Sequence, residues 1–470
     1  MKKNILLISS LVLSNATIGS LAAETFTLTQ TDQNNLSITL YSNNLALVQD
    51  TRILGPLTPD DQVIVKDISP KMHTQSLQIK NAGIITEQSL NQAIISYESL
   101  MNSYIGKTVT LVKTLQSSDR EIRRSVKLLN IDQQTVIVEI DGAIESFPLH
   151  SETWRFVFPK KPTNMQLRPS LTFKSQGKKT TNNIQLKYLT SGLEWKMDYV
   201  LELNAKRNTL SLKGLASLFN RTDTLYKKAN IKLLAGTIAT SSQNQFAATA
   251  PIAMMMDRTA GLEPSPQNVG DLQLYNLPQA TTLFPHQQTQ VPLLSAKNIP
   301  VVAGYRYDFH VTPYIDSHET KTNPSSYLSF YNDKKSGLGI PLPSGQARVY
   351  NPDKSHQFQF VGASLFNQSS LNEQIKLETG QAFDFSIRHR QTSHEKTFDG
   401  VIVGIQFMLN NSSLEEKILD LSATFGQSWK IIDSTYPLFK KQAADAHWKI
   451  KVAGNNISVF NIKVRLNTTQ

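Results

Sequence analysis

Nine histidines and no cysteine set the range of chemistry open to this chain. Imidazole holds a metal ion only where two or three ligands converge. Two stretches offer such groups: His310 and His318 with Asp316 and Glu319, and His389 and His394 with Glu395. Neither has the HExxH spacing that puts two rings on one helix face. His389 shares strand parity with Phe383, Phe385 and Ile387, which predicts a hydrogen-bonded core side chain, and His394 falls in the turn that follows. His310, His318, His389 and His394 are the candidate metal or general-base residues. Met254-Met255-Met256 is a run of thioethers, which suit soft ions such as Cu(I), yet three consecutive side chains cannot face one ion from a strand or helix. Asp198, beside Trp195 and Tyr199, has the character of a glycosidase carboxylate, but spacing supplies it with no second carboxylate. Its simpler reading is a solvent-facing acid between two core aromatics. Ser336 lacks the glycine two residues earlier that a nucleophile elbow needs. No GxxxxGK[ST] or GxGxxG occurs, so nucleotides are not indicated. No catalytic residue and no cofactor is assigned.

Those residues sit in a chain of 470 residues with a net charge of +11 and 18% charged side chains, the composition of a globular protein. At about 150 residues per domain the length allows two to four domains. The absence of cysteine excludes disulfides, thiolate metal sites and a cysteine nucleophile. Lys2 and Lys3 precede the apolar run from Ile5 to Leu13, and Ser20-Leu21-Ala22 supplies small residues, which predicts an export signal over 1–22. That run is far below the ~20 residues of a spanning helix, and no later stretch approaches it, so no transmembrane segment is expected in the mature chain. The basic residues come as isolated pairs such as Lys160-Lys161 and Lys440-Lys441, without a nucleic-acid-binding run.

After residue 24, apolar residues alternate in short runs. Leu36, Ile38 and Leu40 share one face, as do Val136, Val138 and Ile140, and Phe460, Ile462, Val464 and Leu466. This period of two predicts an all-β, mainly antiparallel fold with several β-sandwich units. One stripe differs: Leu90, Ile94, Tyr97, Met101 and Tyr104 recur at helical spacing, predicting one helix over 89–105 with a capping box at Ser89 to Gln92 and a stop at Gly106. Five short runs in 106–160, with a tight-turn signal at Asp141-Gly142, predict a small SH3-like barrel. The remaining divisions are an N-terminal β segment (23–88), a sandwich over 161–334 carrying a mobile insertion at 241–270, and a C-terminal sandwich over 335–470. Two stretches echo each other: Asn220-Arg221-Thr222 leads to Ile231-Lys232-Leu233-Leu234, and Asn411-Ser412-Ser413 leads to Ile418-Leu419-Asp420-Leu421. Each reads as a strand, a polar corner and another strand, as in two sandwiches.

Several further segments occur in a fixed order. They are Leu40 to Val48 followed by Arg52, Tyr104 to Val109, Gly192 to Tyr199, Leu233 to Gly236, Gln290 to Leu293, Leu342 to Tyr350 and Phe383 to Arg388. Together they resemble a family of exported bacterial proteins known only as a domain of unknown function, itself similar to mucoidy-inhibitor-A-like proteins. The resemblance spans nearly the whole mature chain. It implies a bacterial source and an exported, β-rich architecture, and no activity whose residues could be carried over. Longer relatives add coiled-coil segments that this chain lacks.

These readings lead to a non-catalytic exported protein, most simply periplasmic, that binds an envelope protein or an anionic envelope polymer and no nucleic acid. Phe284, His286, Met254, Met255 and Met256 are the candidate binding residues, since loops on rigid scaffolds carry function. The alternative is a hydrolase or metal-dependent enzyme with an unrecognised site built from the four histidines and nearby acids. An outer-membrane barrel is disfavoured by a C-terminus without an aromatic residue and by the lack of recurring aromatic girdles.

Overall fold

The computed structural model describes residues 24–58, 61–115, 120–176, 182–238, 266–314 and 318–467. It is an all-β protein of several mostly antiparallel sheets, with one α-helix among the described residues. The chain divides into two compact units. The first holds the described residues up to Leu36 with Val48–Leu189; the second holds Ser37–Leu47 with the described residues from Thr190 onward.

In the first unit, a four-stranded sheet has the order Thr25–Leu28, Gln62–Val65, Ser170–Gln176, Ile84–Asn91. The strand Leu45–Ile53 alternates strictly, burying Ala46 and Val48 but also Asp50 and Arg52. Arg52 Nε donates to Asp50 Oδ2 at 2.9 Å, and its Nη1 donates to the carbonyls of Lys66 at 2.8 Å and Leu28 at 3.2 Å. Gln33 Nε2 donates to the other Asp50 oxygen at 2.8 Å.

The helix spans only Tyr97–Ser103, capped by Ser96 and Ser99 in a reciprocal capping box. The expected start near Ser89 is therefore displaced. Leu90 lies instead in the strand Ile84–Asn91, opposite Leu171, because a long ladder with Ser170–Gln176 outweighs a local helical stripe. Gly106 ends the turn at φ 78°, as expected.

The five strands expected in 106–160 all form, in the sheet order Ala143–Pro148, Thr135–Ile140, Glu121–Ile131, Thr108–Thr114, Trp154–Val157. Asp141 and Gly142 both have positive φ, at 51° and 85°, the geometry of a tight hairpin. The first and last strands of that order do not pair, so the expected barrel is not closed. Met101 and Tyr104 join Leu111, Leu128, Val138 and Phe156 in one core, which buries the apolar face without ring closure.

The second unit contains one strand arrangement twice. In its first copy, Leu193–Leu203 and Thr209–Asn220 form an antiparallel hairpin with Leu193 opposite Asn220. The chain then enters Tyr226–Ala235, which runs parallel to Ser37–Leu40 and antiparallel to Leu272–Asn276. Gln287–Pro300 returns to pair with Thr209–Asn220. In the second copy the hairpin is Phe385–Thr397 with Gly400–Asn411, Phe385 opposite Asn411. Lys417–Phe425 is parallel to Val302–Val311 and antiparallel to Asp445–Val452, and Asn456–Asn467 returns to pair with Gly400–Asn411. Six strands thus correspond one for one, including one parallel pair in each copy. The N-terminal strand 37–40 completes the first sandwich, and the second begins at Val302, earlier than residue 335.

Both copies turn on a buried asparagine. Asn411 Nδ2 donates to the carbonyls of Glu415, Val452 and Ala453, and its Oδ1 accepts from Ser413. Asn220 Nδ2 likewise donates to Thr224 and Leu283 while Oδ1 accepts from Thr222. The core of the second sandwich packs Phe385, Phe407 and Phe460 of one sheet against Phe309, Leu421 and Trp448 of the other.

Candidate functional site

The sequence-predicted residues do not converge. Met254, Met255 and Met256 lie outside the described residues, as does most of the 241–270 insertion; its end, Gln267–Val269, is a strand paired with Leu272–Asn276. Phe284 is exposed after the strand Thr281–Leu283. His286 follows in a left-handed turn at φ 53°, with Nε2 2.7 Å from Asp223 Oδ1. His310 meets Thr424 Oγ1 at 3.1 Å on the polar face of its sheet. His318 is exposed ahead of Thr320–Thr322, and the His394 ring stacks on Tyr314 at 5.5 Å. Among the described residues no group of three or more histidines and carboxylates is placed to hold a metal ion.

His389 points the other way, into the sandwich. Its ring is edge-on to Phe309 at 4.8 Å, with Phe407 at 5.9 Å and Tyr307 at 6.1 Å. Its neighbours are aromatic rings rather than the hydrogen-bond partner expected. Phe383, two residues before the strand begins, is fully exposed and does not share this environment. Burial holds the His389 pKa below the ordinary histidine value of 6.5. The unfolded chain therefore binds this proton more readily than the folded one, and stability falls as pH drops below about 6.5. Urea denaturation near pH 7.5 and pH 5.5 is expected to show a smaller acid-side loss for His389→Leu than for the unsubstituted protein. An equal loss would assign the acid sensitivity elsewhere.

The strongest concentration of organised polar chemistry lies on the outer face of the first sandwich. Its sheet has the order Gln287–Pro300, Thr209–Asn220, Leu193–Leu203, Gly345–Pro352, Phe358–Phe366. Along Leu193–Leu203 the odd residues Trp195, Met197, Tyr199 and Leu201 are buried, so Lys196, Asp198 and Glu202 face outward. Trp195 Nε1 donates to the Leu234 carbonyl at 3.1 Å and Tyr199 Oη to that of Pro343 at 2.6 Å, which fixes the strand from its core side.

On the outer side the Ser217 hydroxyl donates to Asp198 Oδ2 at 2.6 Å and accepts from Gln288 Nε2 at 3.1 Å and Gln290 Nε2 at 2.9 Å. Arg348 Nη1 donates to Asp198 Oδ1 at 2.9 Å. A hydrogen-bonded row thereby crosses four strands. Around it, Glu194 pairs with Arg221 at 2.6 Å and Glu202 with Lys213 at 3.5 Å. Phe219 lies under Arg221 and Lys196 at 5.5 Å and 5.8 Å, and at the opposite edge Tyr350 meets Phe360 edge-on at 5.8 Å.

This geometry excludes a glycosidase pair among these acids. Glu194, Asp198 and Glu202 are each four strand residues apart, about 13 Å, whereas paired glycosidase carboxylates lie about 5–10 Å apart. Each also carries a cation of its own. What the face can do is bind, through planar amide, carboxylate and guanidinium groups already held in position.

No protein-family model matches this chain, and no curated protein matches it. Asp198 was visible in the sequence, but its partners Ser217 and Arg348 were not, nor was Gln290 behind Ser217, since only strand register brings together residues 19 to 150 apart in sequence.

Proposed function

We propose that this is a non-catalytic, exported envelope protein that binds an extended glycan on the outer face of its first sandwich. The observation that carries the reading is the row Gln290, Ser217, Asp198 and Arg348, satisfied across four strands and flanked by aromatic rings. Sugars offer paired hydroxyls to planar bidentate groups and apolar ring faces to aromatic side chains. Phe360, 58% exposed beside Tyr350, supplies such a platform. Because the row is held by its own hydrogen bonds, binding loses little side-chain freedom. The resemblance to exported β-rich proteins and the signal-like start support placement in the envelope, periplasm first. The alternative of a hydrolase or metal enzyme gains no support from the separate positions of His310, His318, His389 and His394.

The test is an array of bacterial envelope oligosaccharides probed with the mature protein, followed by titration of the best binder. Phe360→Ala and Gln290→Ala are each expected to weaken binding about tenfold with an unchanged melting temperature. Absence of any glycan binding, with a second polypeptide found on the native protein by mass spectrometry, would overturn the reading.

A further inference from the structure

The equivalent outer face of the second sandwich carries a different chemistry. Its sheet has the order Thr320–Thr322, Phe385–Thr397, Gly400–Asn411, Asn456–Asn467, Trp429–Ser434. Register places Arg388, Met408 and Val459 in one outward row, and Arg390, Gln406 and Asn461 in the next. Arg465 and Lys430 face outward opposite each other, and Lys321 lies opposite Arg388. Arg390 Nη2 donates to Gln406 Oε1 at 3.2 Å, and Gln406 Nε2 donates to Asn461 Oδ1 at 3.1 Å, a rung across three strands.

The charges on this face do not balance. Glu319 is taken by Arg388 at 3.1 Å and Glu395 by Lys463 at 3.0 Å. Asp433 accepts from the backbone of Ser434. Among the described residues Arg390, Arg465, Lys430 and Lys321 have no carboxylate partner, and Arg465 Nε is buried without an acceptor. On the first sandwich, by contrast, Arg348, Arg221 and Lys213 each hold a carboxylate. The same strands present a charge-balanced surface in one copy and an unneutralised basic one in the other.

We propose that this second face binds an acidic polysaccharide, with Arg390 and Arg465 gripping uronate carboxylates. The unpaired cations span five strands, about 19 Å from edge to edge, so they match a polymer of repeated charge rather than one small anion. Guanidinium forks fit carboxylates in bidentate fashion. Met408 and Val459 lie beside the cations and give a sugar ring an apolar surface.

The test is calorimetric titration of the mature full chain with polygalacturonate, with dextran as the uncharged comparison. Binding to polygalacturonate and not to dextran is expected, weakening about tenfold as sodium chloride rises from roughly 50 to 300 mM. The double substitution Arg390→Gln with Lys430→Gln is expected to weaken it about tenfold at an unchanged melting temperature; both residues are exposed, so folding is spared. Phe360→Ala, on the first sandwich, is expected to leave this affinity unchanged, which keeps the two faces separately falsifiable. Undiminished affinity in the double variant, or binding to phosphatidylglycerol vesicles without binding to polygalacturonate, would overturn the proposal.

Discussion

Asn411→Ala is expected to lower the stability of the second sandwich by about 4 kcal/mol. Asn411 is fully buried where Gly400–Asn411 hands over to the opposite sheet. Its Nδ2 serves three carbonyls at 2.8 to 3.1 Å, and its Oδ1 accepts from the Ser413 amide at 3.1 Å and hydroxyl at 2.7 Å. Truncation leaves several of these groups dry and unpaired, and each buried polar group so left costs about 1–3 kcal/mol. Asn411→Asp does not rescue the corner, because a carboxylate has no proton to offer three carbonyls. Urea unfolding followed by tryptophan fluorescence reads the effect, since Trp448 lies in the same core. A loss under about 1 kcal/mol would show that the corner is held by its backbone alone.

The second large effect belongs to the first unit. Arg52→Ala is expected to cost about 3–5 kcal/mol, because it strands a buried carboxylate. Arg52 is 1% exposed and Asp50 2%. The same substitution removes the donors to the Leu28 and Lys66 carbonyls, which tie the ends of two neighbouring strands. Arg52→Lys is expected to recover little, since one ammonium cannot reach three acceptors that a planar guanidinium serves together. Replacing both members, with Arg52→Met and Asp50→Leu, is expected to restore most of the loss. Thermal unfolding of the three variants distinguishes these outcomes. Equal melting temperatures for Arg52→Ala and the unsubstituted protein would refute the assignment.

Much of the architecture was legible because burial on a sheet repeats every second residue. The runs at 136–140, 193–203 and 460–466 are core strands for that reason. Asn220-Arg221-Thr222 and Asn411-Ser412-Ser413 also read correctly as paired corners, since an asparagine before a hydroxyl residue has a local hydrogen-bonding logic. Leu90 misled because a helical stripe and a strand look alike over a few residues, and only the distant partner at Leu171 decides between them. Asp50 and Arg52 defeated the pattern more deeply. Nothing local in the sequence marks these two charged residues as core, and here they are buried because each neutralises the other. The candidate site was least visible, for its members were chosen by register and not by neighbourhood in sequence.

The pairing of Ser37–Leu40 with Asn230–Leu233 has a consequence in time. The first of these segments leaves the ribosome roughly 190 residues before the second, which at about 5–20 residues per second is a wait of about 10–40 s. Until then Ile38 and Leu40, both fully buried in the finished protein, have only the neighbouring strand Leu45–Ile53 to pair with. In the second sandwich the corresponding parallel pair lies closer in sequence, with Tyr305 opposite Leu419. The first sandwich therefore cannot close until Tyr226–Ala235 has been made, which keeps it open for the export proposed above.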